Sequence, residues 1–576
     1  MGIWFLVEDA GRWWQVLEPA PLRPQNFRGV FYALLRASNA DIICPTKLAP
    51  HVTIVFTTSP QDSDPASYPP AIRQLSASWY PRPPPFRHYP AHTSWISREA
   101  AGVIAVSGHL ASCPAIRTRC LFLFSPPKMQ HFLAPVNLAS RRRPVTNCQL
   151  WMASDLPERV ARLALDAFDA LPRRCKPRAD HAGVREWVPM SAVVLAQNDV
   201  SPPALHLAAL ATGSKCIPAT TLPKAHGLIL HDSHSEVLAL RGLNRFLLQE
   251  AHRLLKDPGY QSPFLVHADG QARSSDEPPF RIHPAVTIHL FSTEPPCGDA
   301  SMEFIMSTQQ DATPWPVPPP SASITQPNGD ETAVIPGRSY FSALSIVRRK
   351  PSRPDAPPTL SKSCTDKLTL KQFTSVLSSL TALLISPRNA YISTFTVSAD
   401  KYREEGYHRA FSATGRLSTL LSTSETLDIP SDTIGYSFTP LTVTPLPATF
   451  NYTYTYSKPP PTDTATKASN ISALHINCSH PSARVTEVLI SGVKQGNAQL
   501  STDDRKGSSV SRKEIWQLVR EIAELLSSDD ELKSQLAAQR YANVKAVNIE
   551  RTAVKQRVVD ALAGWHRNRG DDEWGL

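Results

Sequence analysis

A regular pattern of apolar and polar positions begins near Asp155. From Leu156 to Leu171 (LPERVARLALDAFDAL), Val160, Leu163, Ala164, Ala167, Phe168 and Leu171 recur at helical spacing with charged residues between them, which predicts an amphipathic helix. Trp187–Leu195 (WVPMSAVVL) reads as a buried strand despite Pro189, and Leu228–Leu230 as a short strand running into His231. His234–Leu255 predicts a long helix, with Val237, Leu238, Leu243, Phe246, Leu247, Leu254 and Leu255 on one broad face. Ala285–Phe291 (AVTIHLF) is β-rich and predicts a strand. Thr293–Met306 follows with two prolines and becomes a short helix, since a first turn has no use for the donors that proline lacks. Further helices are predicted over Cys364–Leu384, Lys513–Ser527, Asp530–Ala546 and Glu550–Ala563, and strands over Asn389–Ser398, Phe450–Tyr456 and Arg484–Gly492. Helices and strands alternate without a repeat period. The expectation is one large α/β domain over 155–576, with Pro/Ser-rich insertions near 307–335 and 421–470.

Residues 1–150 are different. Clusters such as Tyr80–Pro85 and Arg141–Pro144 separate short apolar runs (Val52–Phe56, Leu121–Phe124), and no amphipathic helix emerges. This stretch reads as a disordered or loosely folded extension, or as untranslated sequence read as protein. The total of 576 residues allows two to four domains. Lys+Arg 60 against Asp+Glu 50 leaves a formal charge of +10, which suits a nucleic-acid partner but is common among soluble proteins. No apolar run is long enough for a membrane helix, and Glu8 and Asp9 fall where a secretory signal needs apolar residues. The nine cysteines are scattered and odd in number, which argues for a reducing compartment, nucleus or cytoplasm, over a disulfide framework.

Three segments carry chemistry. His231-Asp232-Ser233-His234-Ser235-Glu236 opens one predicted helix, Pro295-Pro296-Cys297-Gly298 follows a strand, and Ser363-Cys364-Thr365-Asp366-Lys367 opens another helix. If these helix starts converge, they offer an imidazole and two thiolates, a set that suits zinc with water in the fourth position. H-x-E with P-C is the signature of zinc nucleobase deaminases, in which a carboxylate beside the metal moves the water's proton; Glu236 stands in that place. The signature's second cysteine should follow two residues after the first, as P-C-x-x-C. Ala300 stands there, and the next candidate, Cys364, lies far downstream. Taken alone, the motif also allows a bland reading, in which His234 caps a helix, Glu236 is solvated and both cysteines are buried.

A wider resemblance bears on that choice. REWVPMSAVV from Arg185, ATGSKCIP from Ala211, DSHSEVLALR from Asp232 and STEPPCGDAS from Ser292 are followed in order by RRKPSRPD from Arg348 and SCTDK at Ser363–Lys367. LISGVKQG from Leu489, SRKEIW from Ser511 and ALAGW from Ala561 complete the series. Over about 155–570 the chain resembles the eukaryotic tRNA-specific adenosine deaminases and the related adenosine deaminases that edit double-stranded RNA. There the second cysteine does lie far downstream, in an SCSDK segment.

The resemblance implies His234, Cys297 and Cys364 as zinc ligands and Glu236 as proton shuttle. It implies a cytidine-deaminase-like three-layer α/β/α sandwich with a mixed sheet and C-terminal helices. The implied reaction is hydrolytic deamination of adenosine to inosine in tRNA, at the adenosine just 3′ of the anticodon of alanine tRNA. No membrane and no obligate protein partner is expected. The family also buries inositol hexakisphosphate in a basic pocket, for which Arg241, Lys367, Lys494, Lys513, Tyr541, Lys545 and Trp565 occupy matching segments, while Leu370 and Lys371 replace an Arg-Trp pair seen in some relatives. Lys215, Arg348, Arg349 and Lys350 are candidates for contact with RNA phosphate. Ser235 stands where alanine is usual and is expected on the far side of its helix, without consequence. Ser352 and Pro354 interrupt a stretch usually richer in glycine, near the substrate. His283 and His289 read as packing or surface groups, and Cys216 as buried.

Three other readings are weaker. An editor of double-stranded RNA would carry helix–strands–helix domains with a basic helix, and residues 1–150 show none. An RNA-binding pseudoenzyme conflicts with the intact His234, Glu236, Cys297 and Cys364. A free-nucleoside or cytidine deaminase conflicts with the long chain and the missing P-C-x-x-C.

Overall fold

The computed structural model describes residues 156–576 apart from 179–183, 269–276, most of 310–339, 352–355, 423–434, 460–465, 527–529 and 563. The chain divides into two units, Met1–Pro144 and Val145–Leu576. In the first, the backbone of five strands is described (Gly2–Asp9, Arg12–Leu17, His51–Thr57, Val103–Ser107 and Arg119–Leu123), paired in one sheet. The expectation for 1–150 otherwise lies outside the described residues, as do most of the 307–335 insertion, Ser352 and Pro354.

The second unit is built on a mixed sheet of eight strands: β1 (Met190–Gln197), β2 (Ala204–Thr212), β3 (Val286–Ser292), β4 (Ile392–Ser398), β5 (Thr442–Leu446), β6 (Ile471–Ile476), β7 (Val485–Ile490) and β8 (Val493–Lys494). Their order is β5-β4-β3-β1-β2-β6-β7-β8. β3, β4 and β5 run parallel, whereas every pair from β3 through β1 to β8 is antiparallel.

Helices cover both faces, and the central strand shows why. Alternate residues of a strand point to opposite faces. Met190, Ala192 and Val194 pack with Val160, Ala164 and Phe168 of helix α1 (Leu156–Ala170). Val193 and Leu195 pack with Leu238, Leu243 and Phe246 of helix α2 (Ser235–Lys256) on the other side. A strand buried on both faces reads as a continuous apolar run, and β1 does. Gly242 lets α2 lie against the sheet, since a Cβ there would sit 2.7 Å from that of Ala209. Further helices include α3 (Met302–Thr308), α4 (Cys364–Thr374), α5 (Glu404–Phe411), α6 (Arg512–Leu525) and α7 (Tyr541–Ala546); α8 (Ile549–Ala561) lies against α4 through Val554, Val558, Leu370 and Phe373. No helix among the described residues is long and apolar enough to cross a membrane.

Several predicted elements differ. Leu228–Leu230 is a turn, entered through His226 and Gly227 at positive φ, and its apolar residues are buried by packing. The helix predicted over Cys364–Leu384 stops at Thr374, where Ser375 takes φ 57°, and only Thr381–Leu384 is helical beyond it. Asp530–Ala546 divides into Asp530–Leu536 and α7. Phe450–Tyr456 forms no strand; Tyr454 packs edge-on against Phe168 of α1 at 5.2 Å.

Candidate metal centre and active site

The three segments singled out by their chemistry do converge. His234 is the N-cap of α2, Cys364 is the first residue of α4, and Cys297 lies on the loop after β3. Local capping holds the last two in place. The Ser363 hydroxyl accepts from the Asp366 N–H at 3.1 Å, which starts α4. Gly298 sits at φ +113°, and a Cβ there would lie 2.2 Å from Ser363 Oγ. Only glycine lets the Pro-Pro-Cys-Gly loop close on the start of α4. As a result the Cys364 N–H donates to Cys297 Sγ at 3.3 Å and the Thr365 N–H to the Cys297 carbonyl at 3.0 Å.

His234 Nδ1 lies 3.7 Å from Cys297 Sγ and 3.6 Å from Cys364 Sγ. A tetrahedral ion with bonds of ~2.05 Å to nitrogen and ~2.3 Å to sulfur separates such atoms by about 3.6 Å. The donor set therefore fits zinc in type and spacing. Cys364 is fully buried whereas His234 is partly accessible, so the centre can be approached from one side. A hydrogen bond from Cys364, opposed by burial and helped by the charges of Lys350 and His234, holds the Cys297 thiol well below its ordinary pKa. That favours the thiolate a metal needs.

Behind the ligands lies a buried ionic relay. Asp232 Oδ1 accepts from the His234 N–H at 2.9 Å, and Oδ2 accepts from Lys350 Nζ at 2.8 Å, from Ser361 Oγ at 2.7 Å and from Lys367 Nζ. Lys350 Nζ also reaches Cys364 Sγ at 3.3 Å. Burial would raise the Asp232 pKa, but Lys350 and Lys367 hold it well below the ordinary carboxylate value. A buried charge is tolerated only when paired in this way. Glu236, in the first turn of α2, is 5% exposed; burial, and then the charge of Cys297, pushes its pKa up. A carboxyl raised toward neutrality suits a group that takes and returns a proton.

Two expectations need correction. Arg348 and Lys350 are not surface cations awaiting RNA. Arg348 is 1% exposed and donates to the carbonyls of Gly337, Tyr340 and Ala343, while Lys350 serves the relay. Buried this deeply inside the fold, neither cation is accessible to a phosphate. Arg349 and Lys215 are half-buried. Ser235, expected on the far side of α2, is fully buried and its hydroxyl faces Glu236. Of the two histidines read as packing or surface groups, His289 is buried between Thr287 and Thr394, and His283 is half-buried; Cys216 is half-buried too.

A second cluster is strongly cationic. Burial, and then the charges of neighbouring cations, lower the pKa values of Arg241, Lys371, Lys545 and Lys555; Arg512, Arg551 and Arg567 are among those neighbours, so the cluster draws on α2, α4, α6, α7, α8 and the chain beyond it. Burial, and then Lys545, Arg551 and other cations, push Lys555 down to about 7. Arg551 is buried and its Nε has no hydrogen-bond partner. Among the residues expected here, Arg241 and Lys545 belong to this cluster, Tyr541 interacts with Arg241 and Arg551, and Lys367 connects through Lys362, whose Nζ lies 5.6 Å above the Trp565 ring. Lys494 and Lys513 instead pair with Glu487 at 3.7 Å and Asp504 at 2.7 Å. The sequence reading missed Arg512, Arg551 and Lys555. The i,i+4 spacing of Arg551 and Lys555 on an otherwise apolar helix face was the available signal.

A His-x-Glu helix start facing two buried cysteines over a mixed α/β sheet defines a deaminase centre. Residues 209–568 match the adenosine-deaminase (editase) domain, and the chain belongs to that family. It is similar to tRNA-specific adenosine deaminase 1 of Schizosaccharomyces pombe, 31% identical over 423 residues, which is 73% of this chain and 97% of that protein. Similarity to tRNA-specific adenosine deaminase 1 of Saccharomyces cerevisiae is 32% over 227 residues, or 39% of this chain and 54% of that one. The double-stranded RNA-specific editase Adar of Drosophila melanogaster is 32% identical over 92 residues, 16% of this chain and 13% of that protein.

Proposed function

We propose that this protein is a zinc-dependent deaminase that hydrolyses adenosine to inosine in tRNA, at the adenosine just 3′ of the anticodon of alanine tRNA. The observation that carries the reaction is the approach of His234, Cys297 and Cys364 to tetrahedral spacing with buried Glu236 beside them. What supports tRNA over other RNAs is the end-to-end likeness to the fission-yeast protein, against the short match to the double-stranded RNA editase. Helices on both sheet faces support the three-layer sandwich of the cytidine deaminases. The described cysteines are all free, in keeping with nucleus or cytoplasm.

His234, Cys297 and Cys364 would hold the metal. When bound, zinc lowers the pKa of a water toward neutrality and makes it a nucleophile. Glu236 would take one proton from a water attacking the ring carbon that bears the amine and pass it to the ring nitrogen. It would then carry the second proton, from the hydroxyl left on that carbon, to the departing amine, so water is consumed and ammonia leaves. Asp232 and Lys350 fix the His234 backbone and the Cys364 sulfur from behind. The target base must leave its stack to reach this floor.

The cationic cluster is the proposed seat of inositol hexakisphosphate. Its donor set fits a polyphosphate: several ammonium and guanidinium groups face one another, and burial makes such a set costly without an anion. The test of the whole reading is inosine formation at single-nucleotide resolution on unmodified alanine tRNA, with zinc content measured alongside. Wild-type protein is expected to yield inosine beside the anticodon. Glu236→Ala is expected to keep its zinc and lose turnover. Full turnover in that variant would refute the assignment of Glu236.

A further inference from the structure

Behind Glu236 lies a chain of hydroxyls that no motif announced. Ser191 on β1 and Ser292 at the end of β3 are directly opposed across the sheet, with Oγ atoms 3.1 Å apart. Ser191 shares the face of Val193 and Leu195, the face on which α2 begins. There its Oγ lies 2.9 Å from Ser235 Oγ, and Ser235 Oγ in turn lies 3.2 Å from Glu236 Oε2. Ser292 Oγ also donates to the Glu294 carbonyl at 2.8 Å. All three serines are completely buried.

Counting protons orders the chain. Each serine hydroxyl has one proton to give. Five contacts, one of them a longer approach of Ser292 Oγ to the Met190 carbonyl at 3.4 Å, therefore compete for three protons. A carboxylate accepts more strongly than a neutral hydroxyl, so Ser235 gives its proton to Glu236 and Ser292 its proton to the Glu294 carbonyl, which leaves Ser191 to donate to Ser292 or to Ser235. Among the hydrogen bonds between side chains, Ser235 is the donor to Glu236. We infer that Ser235, backed by Ser191, is a positioning residue that holds the Glu236 carboxylate in its working orientation, in a chain where the family usually has alanine. It does not touch substrate; it acts through Glu236. The inference rests on the proposed role of Glu236 as proton shuttle.

The physical reason is geometric. A buried carboxylate in the first turn of a helix can rotate about its side-chain torsions unless something engages an oxygen. Proton transfer requires an approach of about 3 Å, and small misplacements of such a group are costly in rate. Ser235→Ala removes one oxygen atom from a fully packed position and leaves the apolar contacts of α2 in place.

The experiment compares wild type, Ser235→Ala, Ser191→Ala and Ser235→Thr on alanine tRNA, with zinc content and thermal unfolding recorded for each. Ser235→Ala is expected to lower kcat roughly three- to tenfold with KM and zinc unchanged, Ser191→Ala to lower it less, and Ser235→Thr to restore it. The decisive arm repeats Ser235→Ala in a Glu236→Gln background, where it is expected to have no further effect on the residual rate. An equal fall in both backgrounds, or no fall in either, overturns the inference. Should wild type itself make no inosine, the proposed function fails. The inference is then judged by a crystal structure of Ser235→Ala: a Glu236 carboxylate that has turned away supports it, and one unmoved overturns it.

Discussion

Replacing Lys555 by methionine should change stability in opposite directions depending on whether the cationic cluster carries an anion. Lys555 is half-buried among Lys545, Arg551, Arg567 and Arg512, and its ammonium is pushed from 10.5 down to about 7. Burial contributes most, and the neighbouring cations add to it. In the unfolded chain the same ammonium returns to its ordinary value. At pH 7 the unfolded state therefore binds this proton more tightly than the folded one, and folding loses up to about 4 kcal/mol at this position. The sign follows from linkage. For a base with a depressed folded pKa, the cost is present in full below pH 7 and fades as pH rises toward 10.5. Methionine keeps the length and most of the volume but not the charge, so Lys555→Met should raise the melting temperature of anion-free protein at pH 7 by several degrees. With inositol hexakisphosphate bound as proposed, Lys555 would instead donate a charge-assisted hydrogen bond, and the variant should gain less from the ligand than wild type does. The assay is thermal unfolding of protein stripped of bound anion, with and without added inositol hexakisphosphate. A variant destabilised equally in both conditions would show that Lys555 is a packing residue, and the polyphosphate argument would fall with it.

Two further outcomes test the frame of the site. Gly298→Ala forces an L-residue to φ +113° with its Cβ 2.2 Å from Ser363 Oγ; the variant should lose roughly 1–3 kcal/mol and bind zinc more weakly, and undiminished zinc content would show that the loop does not set the spacing of the two thiols. His289, held between Thr287 and Thr394, is pushed down to about 4 by burial. The unfolded chain takes up this proton first as pH falls below 6.5, so the folded state should lose about 2 kcal/mol between pH 7 and pH 5 through this group. His289→Gln should lose correspondingly less in urea unfolding at the two pH values, and identical losses would refute the assignment.

Much of this protein could be read from local pattern. The α1 helix, the β1 core run, α2, β3 and the helix starts at His234 and Cys364 all follow from periodicity and capping chemistry, because each depends on residues within a few positions of one another. The candidate ligands were legible for the same reason: H-x-E and P-C-G are short motifs on element boundaries. What failed locally was decided by distant partners. Leu228–Leu230 is apolar enough for a strand, yet it is buried in a turn whose Leu230 N–H bonds the Gly492 carbonyl. β2 carries too many alanines to stand out and β6 is short, and they are strands because β1 and β7 supply the ladder.

The chemistry shows the same division. The sequence by itself determined which side chains could bind a metal or move a proton. Only the fold decided that Cys364 stands beside Cys297, since Gly298 must first meet Ser363. Only the fold turned Arg348 and Lys350 inward, made Asp232 the hub of a buried relay, and gathered Arg551 and Lys555 with Arg241. It also brought Ser235 against Glu236 with Ser191 behind it. Residue type limits what an atom can do, but burial and the nearest opposite charge determine what it does, and those are set by groups far away along the chain.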